Sequence, residues 1–343
     1  MTTNRMISTG IASLAVVSLA ACGSSSEGGE EGGDGAASST AFRVAFNQNE
    51  GHPQAQVLEQ VSEGLSEQTD GQYSLDLYTD ETLGDQAATI EQVQSGTIEF
   101  SMVAGSLLES YEPDFAVANL PYLYESPEHQ MEVLNDTELM SELYESVEDD
   151  NIKVLAAYHG GVRNVYSSEG PVNSPEDLSG QQIRVIGSDT NVRMMELMGG
   201  VGNPMAQGEV YTAIQSGVIE GGENNELIYS SLSHDEIAPY YSYTEHLMLP
   251  DFLVMSLDVW EGLDEEAQQT LMELLDESVD EELALFSEAV EEARASSEEA
   301  GAEFNDVDVE AFREAVMPLH EEAIESDRAQ AIYDAIESAR SDS

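Results

Sequence analysis

Two segments of the chain repeat one pattern, and this repeat constrains the fold more than any other feature of the sequence. The segments are VQSGTIEF, residues 93–100, and IQSGVIEG, residues 214–221. In each, a helix is expected to end at a glycine suited to a left-handed C-terminal cap, and a strand is expected to begin two residues later. Because both copies end comparable helix-to-strand units, the repeat predicts two similar lobes.

The pattern around the first copy is that of an α/β fold. Residues 42–46 and 73–78 alternate as strands, Pro53 stands at the first position of a helix, and Asp85 caps a second helix. Strand, helix, strand, helix predicts a parallel sheet with right-handed crossovers. The predicted fold class is therefore α/β with two lobes.

The predicted lobes have the following limits. Lobe 1 covers residues 41–157 and ends where an apolar strand runs into Tyr158-His159-Gly160-Gly161. Residues 158–260 form mainly lobe 2. A long amphipathic helix begins at Asp264, and another runs from about Asp308 until Pro318 interrupts it. Residues 261–343 are thus expected to supply helices that span and brace both lobes.

The N-terminal segment is predicted to be a secretory signal. Arg5 precedes an apolar run that is too short to span a bilayer, and Leu19-Ala20-Ala21-Cys22 follows. This ending resembles the bacterial lipobox, in which the cysteine is lipidated; an ordinary signal peptide with an unmodified Cys22 is the alternative. Residues 23–40 are rich in Gly, Ser and Glu and are expected to form a flexible tether. We therefore expect a lipid-anchored protein in the periplasm or on the outer face of the cytoplasmic membrane.

The charge balance is strongly acidic. The chain has 69 Asp and Glu residues against 10 Lys and Arg residues, a formal net charge of −59. A field of this sign repels nucleic acid, which is excluded as a partner. Adaptation to high salt is the simplest interpretation, because the Debye length falls to about 3 Å at 1 M.

Motifs of common enzyme classes are missing from the sequence. The six histidines show no metal-ligand spacing, and there is no P-loop, no G-x-S-x-G and no G-x-G-x-x-G. The sequence therefore predicts no catalytic residue, no metal site and no cofactor. A secreted hydrolase that acts on acidic saccharides through paired carboxylates remains an alternative.

Two arginines stand out among the few cations. Arg163 follows a double glycine in HGGVRN, at the predicted exit of a strand, and Arg184 lies within the apolar strand QIRVI. A guanidinium in an apolar wall needs an anion, because an unpaired buried charge costs several kcal/mol. The anion is either an internal carboxylate or a ligand carboxylate held by the planar guanidinium fork.

Three segments carry a resemblance to a known family. GGVRN, SPEDLSGQQIRV and NPMAQGEVYTAIQSGVIEGGEN resemble the solute-binding proteins of tripartite ATP-independent periplasmic (TRAP) transporters, the DctP family, over residues 42 to about 268. The resemblance implies a Venus flytrap fold that closes over an organic acid and passes it to small and large membrane subunits. The chain departs from the family pattern at Ile186, where the strand usually continues with proline.

The resemblance also implies a ligand site. The family's defining contact matches Arg184, a frequent second contact matches Arg163, and the asparagine of the G-x-E-N element matches Asn224. GGENNELIYSS and GHP favour the branch that binds sugar acids such as glucuronate or galacturonate, with Asn225, Glu50 and His52 as further contacts or as turn and cap residues. MVAGSLL, without charge, argues against sialate. A C4-dicarboxylate or a keto acid is the alternative ligand.

Overall fold

The computed structural model of the protein describes residues 39–340. The predicted signal segment, Cys22 and nearly all of the predicted tether lie outside these residues. Within residues 39–340, no helix has both the length and the apolar character needed to cross a membrane.

The described residues form one sheet of nine strands with thirteen α-helices around it. The strands are β1 Thr40–Ala45, β2 Tyr73–Tyr78, β3 Phe100–Ala104, β4 Ile152–Ser167, β5 Gln182–Val185, β6 Val201–Pro204, β7 Gly221–Asn224, β8 Tyr240–Ser256 and β9 Glu303–Asp306. The helices are α1 Pro53–Gln68, α2 Gln86–Gln94, α3 Gly105–Leu108, α4 Pro127–Leu134, α5 Thr137–Tyr144, α6 Asp189–Leu197, α7 Val210–Gln215, α8 Glu226–Ser231, α9 Leu257–Glu261, α10 Glu265–Ala300, α11 Val309–Val316, α12 Pro318–Ala323 and α13 Asp327–Ala339.

The strand order divides the sheet into two halves with the same internal arrangement. The order is β2-β1-β3-β8-β4-β7-β5-β6, and β9 pairs with β8. β1 is parallel to β2 and β3, just as β5 is parallel to β6 and β7. β8 and β4 run antiparallel to β3 and β7 and to each other. The predicted parallel pairing is confirmed within each half, and the sheet as a whole is mixed because two long antiparallel strands, which were not predicted as such, join the halves.

The sequence repeat corresponds to a structural repeat. Gly96 (φ 68°) and Gly217 (φ 71°) adopt the left-handed conformation after α2 and α7, as predicted. β3 and β7 begin later than expected, four residues after each glycine rather than two. In both copies the glutamate just before the strand accepts a backbone N–H bond from the neighbouring strand. Glu99 accepts from Arg43 at 2.8 Å, and Glu220 accepts from Gln182 at 2.6 Å.

The long strand β4 crosses the predicted lobe boundary without ending. It pairs with β8 on both sides of an irregularity between His159 and Val162. Gly161 lies there with φ 91°, and a side chain on it would collide with Asn225. The prediction that Arg163 lies at the exit of a strand is therefore wrong. The double glycine provides a bulge within the strand instead of an end.

The long helix α10 packs against both halves. Asp264 caps its N-terminus through a 2.9 Å bond from the amide of Ala267. Along the helix, Ser278 bonds to the hydroxyl of Tyr158 at 2.7 Å, and Ser297 donates to Asp235 at 2.7 Å. The C-terminal segment is broken into α11, α12 and α13, with Pro318 at the start of α12 as predicted.

Candidate ligand-binding site

A cavity of about 300 Å³ lies where the parallel strands of both halves end. The carboxyl ends of parallel strands are where α/β sheets usually bind ligands. Residues that follow β1, β2 and β3 line one side, and residues in or after β5, β6 and β7 line the other. The polar lining residues are Asn47, Gln48, His52, Glu81, Asp85, Gln86, Arg163, Arg184, Gln207, Asn224, Asn225 and Asp251.

Arg184 is the cation of this cavity without an internal carboxylate partner. It lies on β5, is 4% exposed, and donates from Nε to the carbonyl oxygen of Met205 at 3.1 Å. Within residues 39–340, no acceptor contacts its two terminal nitrogens. Burial, and then the neighbouring charge of Arg163, lowers the pKa of Arg184. The terminal nitrogens therefore form a fork of donors that faces the cavity.

Arg163 also lines the cavity, but an internal carboxylate holds it. Both residues of the Arg163–Glu223 pair have side chains that are 2% exposed. Nε contacts Glu223 Oε2, Nη2 donates to Glu223 Oε1 at 2.8 Å, and Nη1 donates to Asn224 Oδ1 at 3.0 Å. The internal salt bridge, one of the two interpretations from sequence, is therefore the structure found at Arg163.

A buried histidine completes this arrangement. His246 Nε2 lies 3.5 Å from Glu223 Oε2, and its Nδ1 bonds to the hydroxyl of Thr244 at 2.9 Å. Burial alone would raise the pKa of Glu223, but Arg163 and His246 outweigh it and lower that pKa to about 2. Burial lowers the pKa of His246. Glu223 is therefore ionised and its charge offsets that of Arg163, so Arg184 is the cation that is left to pair with a ligand.

The asparagines at the end of β7 and directly after it line the cavity and also hold the backbone around it. Asn224 accepts the Arg163 bond and a bond from the amide of Asn225 at 3.0 Å. Asn225 caps α8 by accepting from the amide of Ile228 at 2.9 Å, and it donates to the carbonyl of Gly160 at 2.9 Å. Asn225 is thus both a cap residue and a wall residue of the cavity.

The two residues expected from the first loop have different positions. His52 lines the cavity and caps α1, accepting from the amide of Gln54 at 3.3 Å, and burial lowers its pKa to about 3. Glu50 is exposed and is not among the lining residues, because the turn closed by Asn49 Oδ1 and the amide of Gly51 leaves it at the surface. The position of Glu50 does not favour a ligand contact.

Several carboxyl groups of the cavity lining were not predicted from the sequence. Asp251, on β8, accepts a bond from Gln54 at 3.0 Å, and burial raises the pKa of Asp251 to about 6. Burial and the nearby Asp85 raise the pKa of Glu81. With so many acidic residues, nothing in the sequence distinguished these three from solvated carboxylates. Asn47 and Gln48 had a usable signal, because they directly follow the predicted first strand.

Amide side chains bridge the two halves across the cavity. Gln207, after β6, accepts from Gln48 at 3.1 Å and donates back to it at 2.9 Å, while Asn47 donates to Gln207 at 3.4 Å. Beside them, the carboxylate of Glu81 accepts the backbone amide of Gly208. The two halves therefore enclose a polar chamber with one guanidinium fork and many hydroxyl-binding groups.

The lining of the cavity suits a polar organic ligand better than a metal ion. Within residues 39–340, no group of three or more His, Cys, Asp or Glu residues is placed to hold a metal ion. The single cysteine of the chain lies outside the described residues. What the geometry can do is bind an anionic, hydroxyl-rich molecule: Arg184 matches a carboxylate, and the amides and carboxyls match hydroxyl groups.

Comparison with known proteins shows the family of the chain. The family model described as bacterial extracellular solute-binding protein, family 7 (DctP) matches residues 44–327. A curated solute-binding protein of Chromohalobacter salexigens is 34% identical over 275 residues, which is 80% of this chain and 82% of that protein.

Two solved structures have the same fold. One is a TRAP periplasmic solute-binding protein of Anaerococcus prevotii with bound D-glucuronate: 36% identity, TM-score 0.84, covering 88% of this chain and 98% of that chain. The other, from Xanthobacter autotrophicus, contains β-D-galacturonate: 31% identity, TM-score 0.83, covering 87% and 100%. The predicted two-lobed α/β fold class is confirmed by these similarities.

Proposed function

Because the chain belongs to family 7 of the bacterial extracellular solute-binding proteins, the DctP family of TRAP transporters, we propose that it captures a uronate in the cavity of about 300 Å³. D-Glucuronate and D-galacturonate, the sugar acids in the two similar structures, are the leading candidates. Proteins of this family serve transport and work with membrane permease subunits. The family therefore argues against the hydrolase alternative.

The observation that carries the proposal is the donor fork of Arg184. Its terminal nitrogens face the cavity, and a carboxylate placed against them forms two parallel charge-assisted bonds. Arg163 would contribute its electrostatic field and a second contact, while Glu223 offsets its charge. The Arg184 fork, which has no internal carboxylate partner within residues 39–340, favours a ligand with one carboxylate.

The rest of the lining supports a sugar ring over a C4-dicarboxylate. Glu81, Asp85 and Asp251 line the same cavity as Arg184, so a second carboxylate would meet like charges there. Sugar hydroxyls would instead donate to these carboxyl groups and accept from Asn225 and Gln207. A keto acid with several hydroxyl groups satisfies the same pattern, so it belongs in the test as an alternative ligand.

Delivery to the membrane is the second part of the proposal. The protein would hand its ligand to the small and large membrane subunits of a transporter driven by an ion gradient, without ATP. Lipidation at Cys22 would keep it beside those subunits on the outer face of the cytoplasmic membrane or in the periplasm. The short apolar run before Cys22 and the absence of a second cysteine support this assignment.

A thermal-shift screen tests the ligand class. D-Glucuronate and D-galacturonate should raise the melting temperature, because a ligand at 100 times its Kd stabilises the folded state by about 2.7 kcal/mol. Neutral D-glucose and D-galactose control for the carboxylate, and succinate and a keto sugar acid test the alternatives. Stabilisation by succinate alone would replace the uronate proposal with a dicarboxylate one.

Arg184→Ala gives the decisive variant. It should abolish the shift caused by uronates, whereas Arg43→Ala, which removes an arginine outside the cavity, should preserve it. A uronate shift that survives Arg184→Ala would refute the assignment of this residue.

A further inference from the structure

A second and larger cavity, of about 930 Å³, lies on the other face of the sheet. On β4, His159, Val162 and Asn164 line this second cavity, whereas Gly160 and Arg163 line the ligand cavity. Successive side chains of a strand point to opposite faces, so the two cavities lie back to back across this strand. Helix α10 and the segment of residues 122–128 form the walls of the second cavity.

The charged lining of the second cavity is mostly acidic, and aromatic rings lie among the other lining residues. Its carboxylates are Glu125, Glu128, Glu226, Glu245 and Glu291, and its aromatic rings include Tyr122, Tyr124, Tyr243 and Phe286. Five carboxylates against two arginines give the lining a negative balance in a chain whose net charge is already −59. An anionic occupant is therefore disfavoured, and a cationic one is favoured.

The two arginines of the lining both contact Tyr122. Arg340 donates to the carbonyl oxygen of Tyr122 at 3.1 Å and pairs with Glu337 at 3.0 Å. The guanidinium of Arg313 lies 5.9 Å from the centre of the Tyr122 ring. The charge of Arg340 is thus paired internally, that of Arg313 lies against an aromatic ring, and the five carboxylates of the lining still outnumber the two arginines.

The buried side chain of His159 presents a ring nitrogen with a free lone pair to the cavity. His159 is 3% exposed, and its Nδ1 bonds to the amide oxygen of Gln130 at 2.8 Å. Because an amide oxygen only accepts, Nδ1 carries the hydrogen and Nε2 keeps its lone pair. Burial lowers the pKa of His159 to about 4, so the ring is neutral. Within residues 39–340, no hydrogen bond involves Nε2, and the cavity is the space that this ring lines.

Glu226 adds a second buried acceptor to the same cavity. It is 7% exposed at the start of α8, and burial raises the pKa of its carboxyl group, although Tyr243, Tyr241 and the charge of Arg294 offset part of this rise. A buried carboxylate costs less free energy when a cationic donor lies beside it. His159 and Glu226 therefore both favour an occupant that brings N–H donors.

We propose that this second cavity binds a small organic cation with primary amino groups, of the diamine or polyamine class. Ammonium groups would donate to Glu226, Glu291 and His159 Nε2, and the methylene chain would lie against the aromatic rings, where cation–π attraction also acts. A single metal ion fits less well, because no group of three ligands converges within the described residues. A chain of spaced amines matches carboxylates that are spread along a wall.

Isothermal titration with spermidine tests the site directly. The titration uses the full chain without a sugar acid, so its outcome does not depend on the uronate proposal. About 1 M NaCl reduces the Debye length to about 3 Å and removes most diffuse attraction to the acidic surface. A saturable isotherm with one spermidine per chain is expected. Non-saturating heat, or many spermidines per chain, would overturn the proposal.

Two adjacent glutamates of α10 provide a matched pair of variants. Both are exposed, but Glu291 lines the cavity and Glu292 does not. Glu291→Gln should weaken spermidine binding about two- to fivefold, the range for one exposed ion pair, while Glu292→Gln leaves it nearly unchanged. Equal effects of the two variants would refute the site. Displacement of spermidine by an equal concentration of Mg²⁺ would also refute it, since charge alone would then suffice.

Discussion

The two halves of the sheet share their topology but differ in what they place at equivalent positions. Val44 pairs with Phe100 in the first half, and Ile183 pairs with Gly221 in the second. This register makes Ala45 the counterpart of Arg184, and Arg43 the counterpart of Gln182. The first half therefore has a methyl group where the second half has the cation of the ligand cavity.

The difference shows that position along a strand decides the role of an arginine. By eye, the sequences FRV and IRV align Arg43 with Arg184, but the register places them two residues apart. Arg43 lies two residues before the end of β1, where it binds Glu99 at 2.7 Å with 40% of its side chain exposed. Arg184 lies nearer the carboxyl end of β5, where parallel strands bind ligands. The second half thus supplies the cation, the first half supplies Glu81 and Asp85, and both halves supply amide groups.

The largest expected effect concerns the buried ion pair of the second half. Glu223→Gln leaves Arg163 buried without a counter-charge, which should lower the free energy of unfolding by about 3–5 kcal/mol. Chemical denaturation would measure this loss. The matched change in the first half is Glu99→Gln at the partly exposed Arg43 pair, where we expect at most about 1 kcal/mol. Equal losses in the two variants would contradict the distinction between the halves.

The next effect concerns the ligand and not the fold. Arg184→Ala should weaken uronate binding by about 2–5 kcal/mol, because the carboxylate loses a buried charged partner. Arg184→Lys keeps the charge but loses the planar fork, so its affinity for a uronate should lie between those of the wild type and the alanine variant. Titration calorimetry measures the three affinities. If Arg43→Ala weakened binding as much as Arg184→Ala, the two arginines would not differ as the register indicates.

The third effect concerns Asp251, a buried carboxyl group that accepts from a neutral amide, whereas Glu223 is paired with an arginine. Burial raises the pKa of Asp251 to about 6, from 3.8 in an unfolded chain, so its ionisation destabilises the folded state at neutral pH. Asp251→Asn should raise the free energy of unfolding by about 2–3 kcal/mol at pH 7. The gain should shrink from pH 6 to pH 4 and vanish below, where Asp251 is protonated in both states. Denaturation curves across this range provide the measurement, and a pH-independent gain would exclude this cause.

The smallest effect concerns the amide bridge between the halves. Gln207→Ala removes the paired bonds to Gln48, which should weaken uronate binding by about 1 kcal/mol. Gln215→Ala, on the exposed face of α7, serves as the control and should have no effect on the affinity. A loss that Gln215→Ala reproduces would show that the change is not specific to the bridge.

Much of the fold could be predicted because local signals agreed with the tertiary structure. The helix ends at Gly96 and Gly217 follow from the need for a left-handed residue, and the α10 cap at Asp264 follows from its position before an amphipathic run. β8 was not predicted. Its pairing with β3 and β4 depends on residues distant in sequence, and Pro250 within it argues against a strand by local rules.

The candidate site was predictable where a rare residue type carried the information. Arg184 stands out in a chain with ten cations, and GGENN points to Asn224 and Asn225. Asp251 could not be distinguished among 69 acidic residues, because its role depends on burial that only the fold creates. The partner of Arg163 was equally hidden, since Glu223 reaches it across two neighbouring strands.

The neutral bridge between Gln48 and Gln207 has a consequence for the kinetics of capture. An anionic ligand approaching a chain of net charge −59 is repelled at low ionic strength, so added salt should increase the association rate. Release of the ligand must break the bonds between the amides of Gln48 and Gln207 and the buried ion pair between Arg184 and the ligand carboxylate. Salt screens both kinds of interaction weakly. Stopped-flow measurements should therefore find that salt raises the affinity through faster association, while the lifetime of the complex hardly changes.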